Sequence, residues 1–182
     1  MLKSKTSKLS LCALFAALTA ILSQVVIPIG PVPINLATFA VFCAGAILGS
    51  KLSALSLAVW AALGVFGTPV FTMFRSGLAT LGGPTGGYII GYIPAAFCTG
   101  FILEKFNKND RIYLYFIAMM FGSFLYFAMG TLWFMFSTNT GLRQALIICV
   151  IPFIPGDLAK IAVATLLSKR MRTILDSSMR SR

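Results

Sequence analysis

The sequence contains no histidine and only four acidic residues in 182. The first absence removes His-based acid–base catalysis, histidine metal ligands and axial haem histidines. The second leaves no paired in-membrane carboxylates for acid–base chemistry, and no nucleophile–base motif is present. Charged residues make up 10% of the chain, against about 25% in an average soluble domain. The four cysteines, Cys12, Cys43, Cys98 and Cys149, stand singly in apolar stretches with no CxxC pair. That spacing argues against a disulfide framework or a zinc site and for small buried hydrophobes. No GxxxxGK[ST] order occurs, so there is no phosphate loop.

What is present is apolar side chain. The chain is 58% hydrophobic, with a mean hydropathy of +0.92. A soluble fold of this size could not hide that surface, so the solvent of much of the chain is lipid. The reading is an all-α membrane protein: one integral-membrane domain over residues 1–182, with a basic N-terminus (1–8) and a basic tail (169–182). Apolar runs at 9–27, 36–48, 52–66, 88–103, 112–136 and 143–167 predict six transmembrane helices. The last is expected to be irregular at Pro152 and Pro155. A span needs about 20 residues, so the short second and third runs must have tilted or shielded ends. Leu9-Ser10-Leu11-Cys12 stands at the start of the first apolar run instead of after it, which argues against a lipoprotein cleavage site, and the first run reads as a retained helix.

Charge gives the orientation. The net charge is +11, from 15 Lys+Arg and 4 Asp+Glu. In a soluble protein this excess would suggest nucleic acid; here it follows the positive-inside rule. With six spans and both termini cytoplasmic, Lys3, Lys5, Lys8, Lys51, Lys105, Lys108, Arg111 and the basic residues of the tail share one face. Only Arg75, Arg143 and Lys160 remain outside that set. The basic tail also suits contact with anionic membrane lipid.

Asp157 is the one acidic residue placed inside a span, within Pro155-Gly156-Asp157-Leu-Ala-Lys160. Asp157 and Lys160 are spaced i, i+3 and share a helix face. A charge at the centre of a span costs about 2.5–3.5 kcal/mol on insertion scales. The pair is either a self-neutralising packing element or part of a polar ligand pocket. The adjacent Pro-Gly favours a pocket, because a helix broken within the membrane is tolerated where it lines a cavity. In Gly82-Gly83-Pro84-Thr85-Gly86-Gly87-Tyr88 the glycines allow close backbone approach, Thr85 adds a hydroxyl and Tyr88 a ring with a polar tip. Pocket wall and helix-packing face fit that spacing equally well. Asn35 and Thr38, at the start of the second run, suit helix capping better than ligand contact. Arg75 and Arg143 sit at outer boundaries, where snorkelling accounts for them, although a cation there also attracts an anionic solute. Ala13, Ala16, Ala17 and Ala20 form small-xxx-small pairs that let another helix approach, from this chain or from another protein.

Together, Gly30-Pro31-Val32-Pro33-Ile34, Gly64-Val-Phe-Gly67-Thr-Pro69-Val70-Phe71, Gly83-Pro84-Thr85-Gly86-Gly87-Tyr88 and Pro155-Gly156-Asp157-Leu-Ala-Lys160 resemble the BioY family in order and spacing. The resemblance covers about residues 10–170. It implies six membrane helices with cytoplasmic ends and a biotin site near the outer face of the cell membrane. It also implies an S component without its own ATPase, which docks on a transmembrane coupling protein carrying two cytosolic ATPases of an energy-coupling-factor (ECF) module. By the same resemblance, Asp157, Lys160 and Tyr88 line the site beside the glycine-rich turn (Gly83, Thr85, Gly86), with Asn35 and Thr38 as weaker contacts, and Ala13 and Ala17 form the docking surface. One departure falls at PVPITLQT, where this chain carries Asn35 and Ala37, so a polar contact there is lost or moved. No enzyme activity, cofactor, metal or nucleic-acid partner is expected. An S component for another vitamin, or a proton-coupled secondary transporter using Asp157, are the alternative readings.

Overall fold

The computed structural model describes residues 5–28, 31–107 and 109–180, with side chains described as far as Ile174. Of the residues named above, Lys3, Gly30, Lys108 and Arg182 fall outside this set, as does the side chain of Arg180. The chain folds almost entirely as helix: α1 (Lys5–Leu22), α2 (Ala37–Leu48), α3 (Ser50–Val65), α4 (Leu78–Gly82), α5 (Gly86–Phe106), α6 (Ile112–Thr138), α7 (Leu142–Cys149) and α8 (Ile154–Arg180). Two-residue strands β1 (Val26–Ile27) and β2 (Ile34–Asn35) pair antiparallel between α1 and α2.

The six predicted spans are recognisable. Lys5–Leu22, Gly86–Phe106, Ile112–Thr138 and the joined stretch Leu142–Ile174 are long and apolar enough to cross a membrane, and α2 and α3 are shorter apolar helices. Of the short pair, α2 is shielded as required, with ten of its twelve residues buried, whereas α3 buries six of sixteen and exposes Leu55, Val59 and Leu63. One detail differs from the sequence expectation: the first run leaves the helix at Leu22, because residues 23–27 turn into the hairpin. Residues 5–8 and the tail through Arg180 continue α1 and α8 as helix. The last span is irregular as expected: it is two helices, parted at Val150 (φ −123°, ψ −57°) by a 3₁₀ turn, Ile151–Phe153. Pro152 and Pro155 cannot donate to a continuous helical ladder, which is why the break falls there.

Small residues set the tightest helix contact, α5 against α6. A Cβ on Gly87 would meet Trp133 and, at 2.8 Å, the Met129 carbonyl; one on Gly122 would meet the Thr99 hydroxyl and, at 2.9 Å, the Ala95 carbonyl. In lipid no hydrophobic force pulls helices together, so this close approach is a main source of packing energy.

The two ends of the bundle differ in chemistry. At one end Glu104, from the last turn of α5, accepts the Ser50 backbone N–H (2.9 Å) and the Ser50 hydroxyl (2.6 Å). This caps the start of α3 from another helix, since the preceding residue, Gly49, has no side chain to do it. The Ser56 hydroxyl donates to the Cys12 carbonyl (2.6 Å), so the start of α1 lies at this end too. Lys5, Lys8, Lys51, Lys105 and Arg111 therefore gather here, as the charge pattern requires. Replacing Glu104 by Ala removes both bonds and strands the Ser50 donors. We expect a loss of about 1–2 kcal/mol, read as a lower unfolding temperature in detergent, with Glu104→Gln recovering part of it.

Candidate functional site

The opposite end holds a cavity of about 240 Å³. Its floor is the first turn of α8 and its walls are α2, α3, α5 and α6. The β1–β2 turn and the 66–77 loop form its rim. That loop folds back because Gly77 N–H donates to the Gly64 carbonyl (2.7 Å). The Phe71 ring then occupies the space where a side chain on Gly64 would lie.

Asp157 stands in the first turn of α8. The helix break exposes the N-terminal end of α8, whose backbone dipole favours negative charge. Lys160 Nζ donates to Asp157 Oδ1 (2.9 Å), to the Asn35 carbonyl (2.7 Å) and to Thr38 Oγ1 (3.1 Å). All three ammonium donors are used, which is what a buried lysine requires. Thr38 Oγ1 in turn donates to Asp157 Oδ1 (3.4 Å). Side-chain exposure is 4% for Asp157 and 10% for Lys160. The ion-pair reading is met on one atom, and the other carboxylate oxygen is left over from it. Oδ1 is sealed by the ion pair, whereas Oδ2 is buried and has no hydrogen-bond partner.

The other candidates divide between the cavity and the packing around it. Thr38, Thr85, Tyr88 and Asn35 line the cavity with the charged pair. Tyr88 presents its ring, and its hydroxyl donates to the Cys149 carbonyl (3.3 Å) at the break after α7. Asn35 does what a capping residue does: its Oδ1 accepts the Ala37 N–H (3.0 Å), and its Nδ2 donates to Thr72 Oγ1 (2.8 Å). Its link to Lys160 is through the main chain, which any residue supplies, so the departure from PVPITLQT moves a side-chain contact without removing the backbone acceptor. Gly83 and Gly86 are not part of the lining. The Gly83 carbonyl accepts the Trp133 indole N–H (3.0 Å), and a Cβ on Gly86 would collide with the Leu81 backbone. Gly86 is required by packing, whereas a side chain on Gly83 would meet nothing closer than the Thr80 carbonyl at 3.4 Å. Ala13 and Ala17 are exposed on α1, whereas Ala16 is buried. The alanine stripe is thus split into one inward face and one outward face.

Sequence reasoning did not name the aromatic wall. Trp60, Phe71, Tyr92 and Tyr126 join Tyr88 around the cavity. Trp60 packs edge-on to Phe71 (centroids 5.3 Å) and lies 5.9 Å from Tyr92, which meets Tyr126 edge-on at 5.7 Å. The Tyr126 hydroxyl is buried with no partner. A usable signal was present: tyrosines and tryptophans with polar tips inside apolar helices, Tyr88 and Tyr92 one turn apart. The whole arrangement is a ring-lined chamber with one carboxyl group, paired to a lysine, at its base and a tyrosine hydroxyl in its wall. It is suited to a small solute that combines N–H donors with flat or aliphatic carbon.

Comparison with known proteins agrees. The BioY family profile matches residues 1–177. A probable biotin transporter BioY of Pyrococcus horikoshii is 37% identical over 168 residues, covering 92% of this chain and 98% of that protein. The biotin transporter BioY of Rhodobacter capsulatus is 38% identical over 184 residues, covering 95% and 97%. A crystal structure of the S-component for biotin from an ECF-type ABC transporter superposes with a TM-score of 0.88 at 33% identity, covering 95% of each chain. With its order of helices and this similarity over nearly its full length, the chain is a multi-pass membrane protein and belongs to the BioY family.

Proposed function

We propose that this chain is the biotin-binding S component of an ECF-type importer and that the ring-lined cavity is its biotin site. The observation that carries the reading is Asp157, which lines the cavity with one carboxylate oxygen paired to Lys160 and the other buried without a partner. An unsatisfied buried acceptor costs about 1–3 kcal/mol. A ureido N–H restores that bond in a charge-assisted form. The bicyclic ring and aliphatic chain of biotin then lie against Trp60, Tyr88, Tyr92 and Tyr126. Lys160 is already engaged with three acceptors, so its role in this reading is to hold Asp157 ionised and oriented.

Binding in this reading leaves biotin chemically unchanged and needs no cofactor. Translocation belongs to the assembled transporter, in which a transmembrane coupling protein and two ATPases supply the work. The outward-facing Ala13 and Ala17 of α1 offer the small-residue surface for that coupling protein, near the basic end of the bundle and away from the cavity.

The test is a calorimetric titration of the detergent-purified chain with biotin and with an analogue methylated on the ureido nitrogens. The reading expects saturable one-to-one binding of biotin and a loss of at least about tenfold with the methylated analogue, which cannot donate to Asp157. Equal affinity for the two compounds would remove Asp157 from the ureido end, and no biotin binding would overturn the assignment.

A further inference from the structure

The break between α7 and α8 leaves a second hollow, a groove of about 510 Å³ between α6 and the α7–α8 stretch. On α6 its wall runs from Met120 through Phe124 and Phe127 to Leu132. Leu146 of α7 and Leu158 of α8 face it. From Met120 to Leu132 the wall is about 18 Å long at 1.5 Å per residue. The hydrocarbon core of a membrane is about 30 Å thick, so the groove has the length of about one leaflet. That leaflet is the outer one: α6 leaves the basic end at Ile112, and Leu132 and Leu142 come near its far end.

The walls suit an acyl chain and not a helix. Membrane helices pack through small residues, as α5 and α6 do at Gly87 and Gly122. This groove has no glycine and one alanine, Ala128, in its lining. Phe124, Leu132, Leu142 and Leu146 stand exposed along it. Toward its outer end Thr131, 5% exposed, has a hydroxyl with no hydrogen-bond partner. Thr19, Thr99 and Thr138 each donate to the carbonyl four residues before them. Thr131 makes no such bond, and its donor is left for an acceptor in the groove. Arg143, next to Leu142, is exposed and in no ion pair among the described residues. Asp157 borders the groove as well as the cavity, so an occupant of the groove also covers that side of the ligand site.

We propose that the groove holds one phospholipid of the outer leaflet, with an acyl chain between α6 and α7–α8, an ester carbonyl accepting from Thr131 and the phosphate paired with Arg143. Arginine suits a phosphate because its planar fork offers two parallel N–H bonds. The site stands independently of the biotin reading.

The experiment is native mass spectrometry of the full chain, delipidated in neutral detergent and then incubated with palmitoyl-oleoyl phosphatidylglycerol or with phosphatidylcholine of the same chains. Wild type is expected to retain one phosphatidylglycerol and to prefer it by about tenfold, a charge-assisted contact without a competing choline. Ala128→Trp fills the groove and is expected to lower occupancy by both lipids at least about tenfold. Thr131→Val keeps the shape, removes the donor and is expected to lower both by about fivefold. Arg143→Gln is expected to erase the preference for phosphatidylglycerol. Wild type that retains no lipid overturns the proposal. So does occupancy unchanged by Thr131→Val and Ala128→Trp, which places the lipid elsewhere, or a dimer that Ala128→Trp dissociates, which gives the groove to a second copy. If Ala128→Trp fails to fold, Thr131→Val decides alone.

Discussion

Asp157→Asn is expected to lower biotin affinity by roughly 30- to 1,000-fold, about 2–4 kcal/mol. The change is nearly isosteric, so the effect comes from hydrogen-bond polarity. Lys160 donates to Oδ1, and in the variant it orients the amide so that the remaining carbonyl oxygen faces the ammonium. The amide nitrogen is then left where Oδ2 stands, and it presents N–H donors to the ligand's N–H donors. A favourable charge-assisted bond becomes a donor–donor opposition in a buried site, where the low local dielectric makes it costly. Calorimetry on the purified variant measures the loss, and an unfolding curve in the same detergent confirms that the protein is intact. Affinity within threefold of wild type would show that Oδ2 is not the ureido acceptor.

The second large effect is on stability. Lys160→Met removes the one cation that the described residues place in a salt bridge with Asp157, and three hydrogen bonds, to Asn35, Thr38 and Asp157. Breaking a buried pair by deleting one member typically costs about 3–5 kcal/mol, because the remaining charge is left uncompensated. A fall in unfolding temperature and a loss of biotin binding are both expected. The double variant Asp157→Asn/Lys160→Met carries no buried charge and is expected to recover much of the lost stability, since neutral replacement of a buried pair is often close to neutral overall. It is not expected to recover binding. This separates the two functions of the pair: the ion pair can be dispensed with for folding, but the carboxylate cannot for the ligand. Strictly additive destabilisation by the two substitutions would contradict the coupling.

The architecture was legible where it depends on composition along the chain. Runs of apolar residues can be satisfied only as spans, and their positions match α1, α2, α3, α5, α6 and the α7–α8 stretch. The charge pattern marked the basic end, and the Pro-Gly step before Asp157 marked the broken helix. The pieces that depend on contacts distant in sequence were not legible. The β1–β2 hairpin has two residues per strand and no alternation long enough to read. The bonds from the Gln24 side chain to the Phe71 carbonyl and the Phe74 N–H join residues about fifty positions apart. α6 is apolar on nearly every face, so its periodicity does not separate Tyr126, which lines the site, from Phe124, which is exposed, and only the polar tip of the tyrosine does.

For the site, the residues that announce themselves are those expensive to bury. Asp157 and Lys160 needed a reason to lie in the membrane, and the structure sets both of them beside a cavity. Gly83 and Gly86 fit a binding turn and a packing turn equally well, because both uses exploit the same missing side chain; only the position of Leu81 and Trp133 separates them. Asn35 shows the reverse case. Its side chain caps α2 and bonds the rim, while the lysine takes its carbonyl, a contact that no side-chain motif can encode.

The claim at the centre of this account is that one oxygen of a buried carboxylate waits for a ligand's N–H. The most direct measurement is a structure of the chain with biotin bound, at a resolution that places the ureido ring. The account predicts a ureido nitrogen within about 3.2 Å of Asp157 Oδ2, with the Lys160–Oδ1 bond retained. Biotin seated with its ureido ring away from Asp157, or Lys160 released from Oδ1 to bind the ligand in its place, would contradict it.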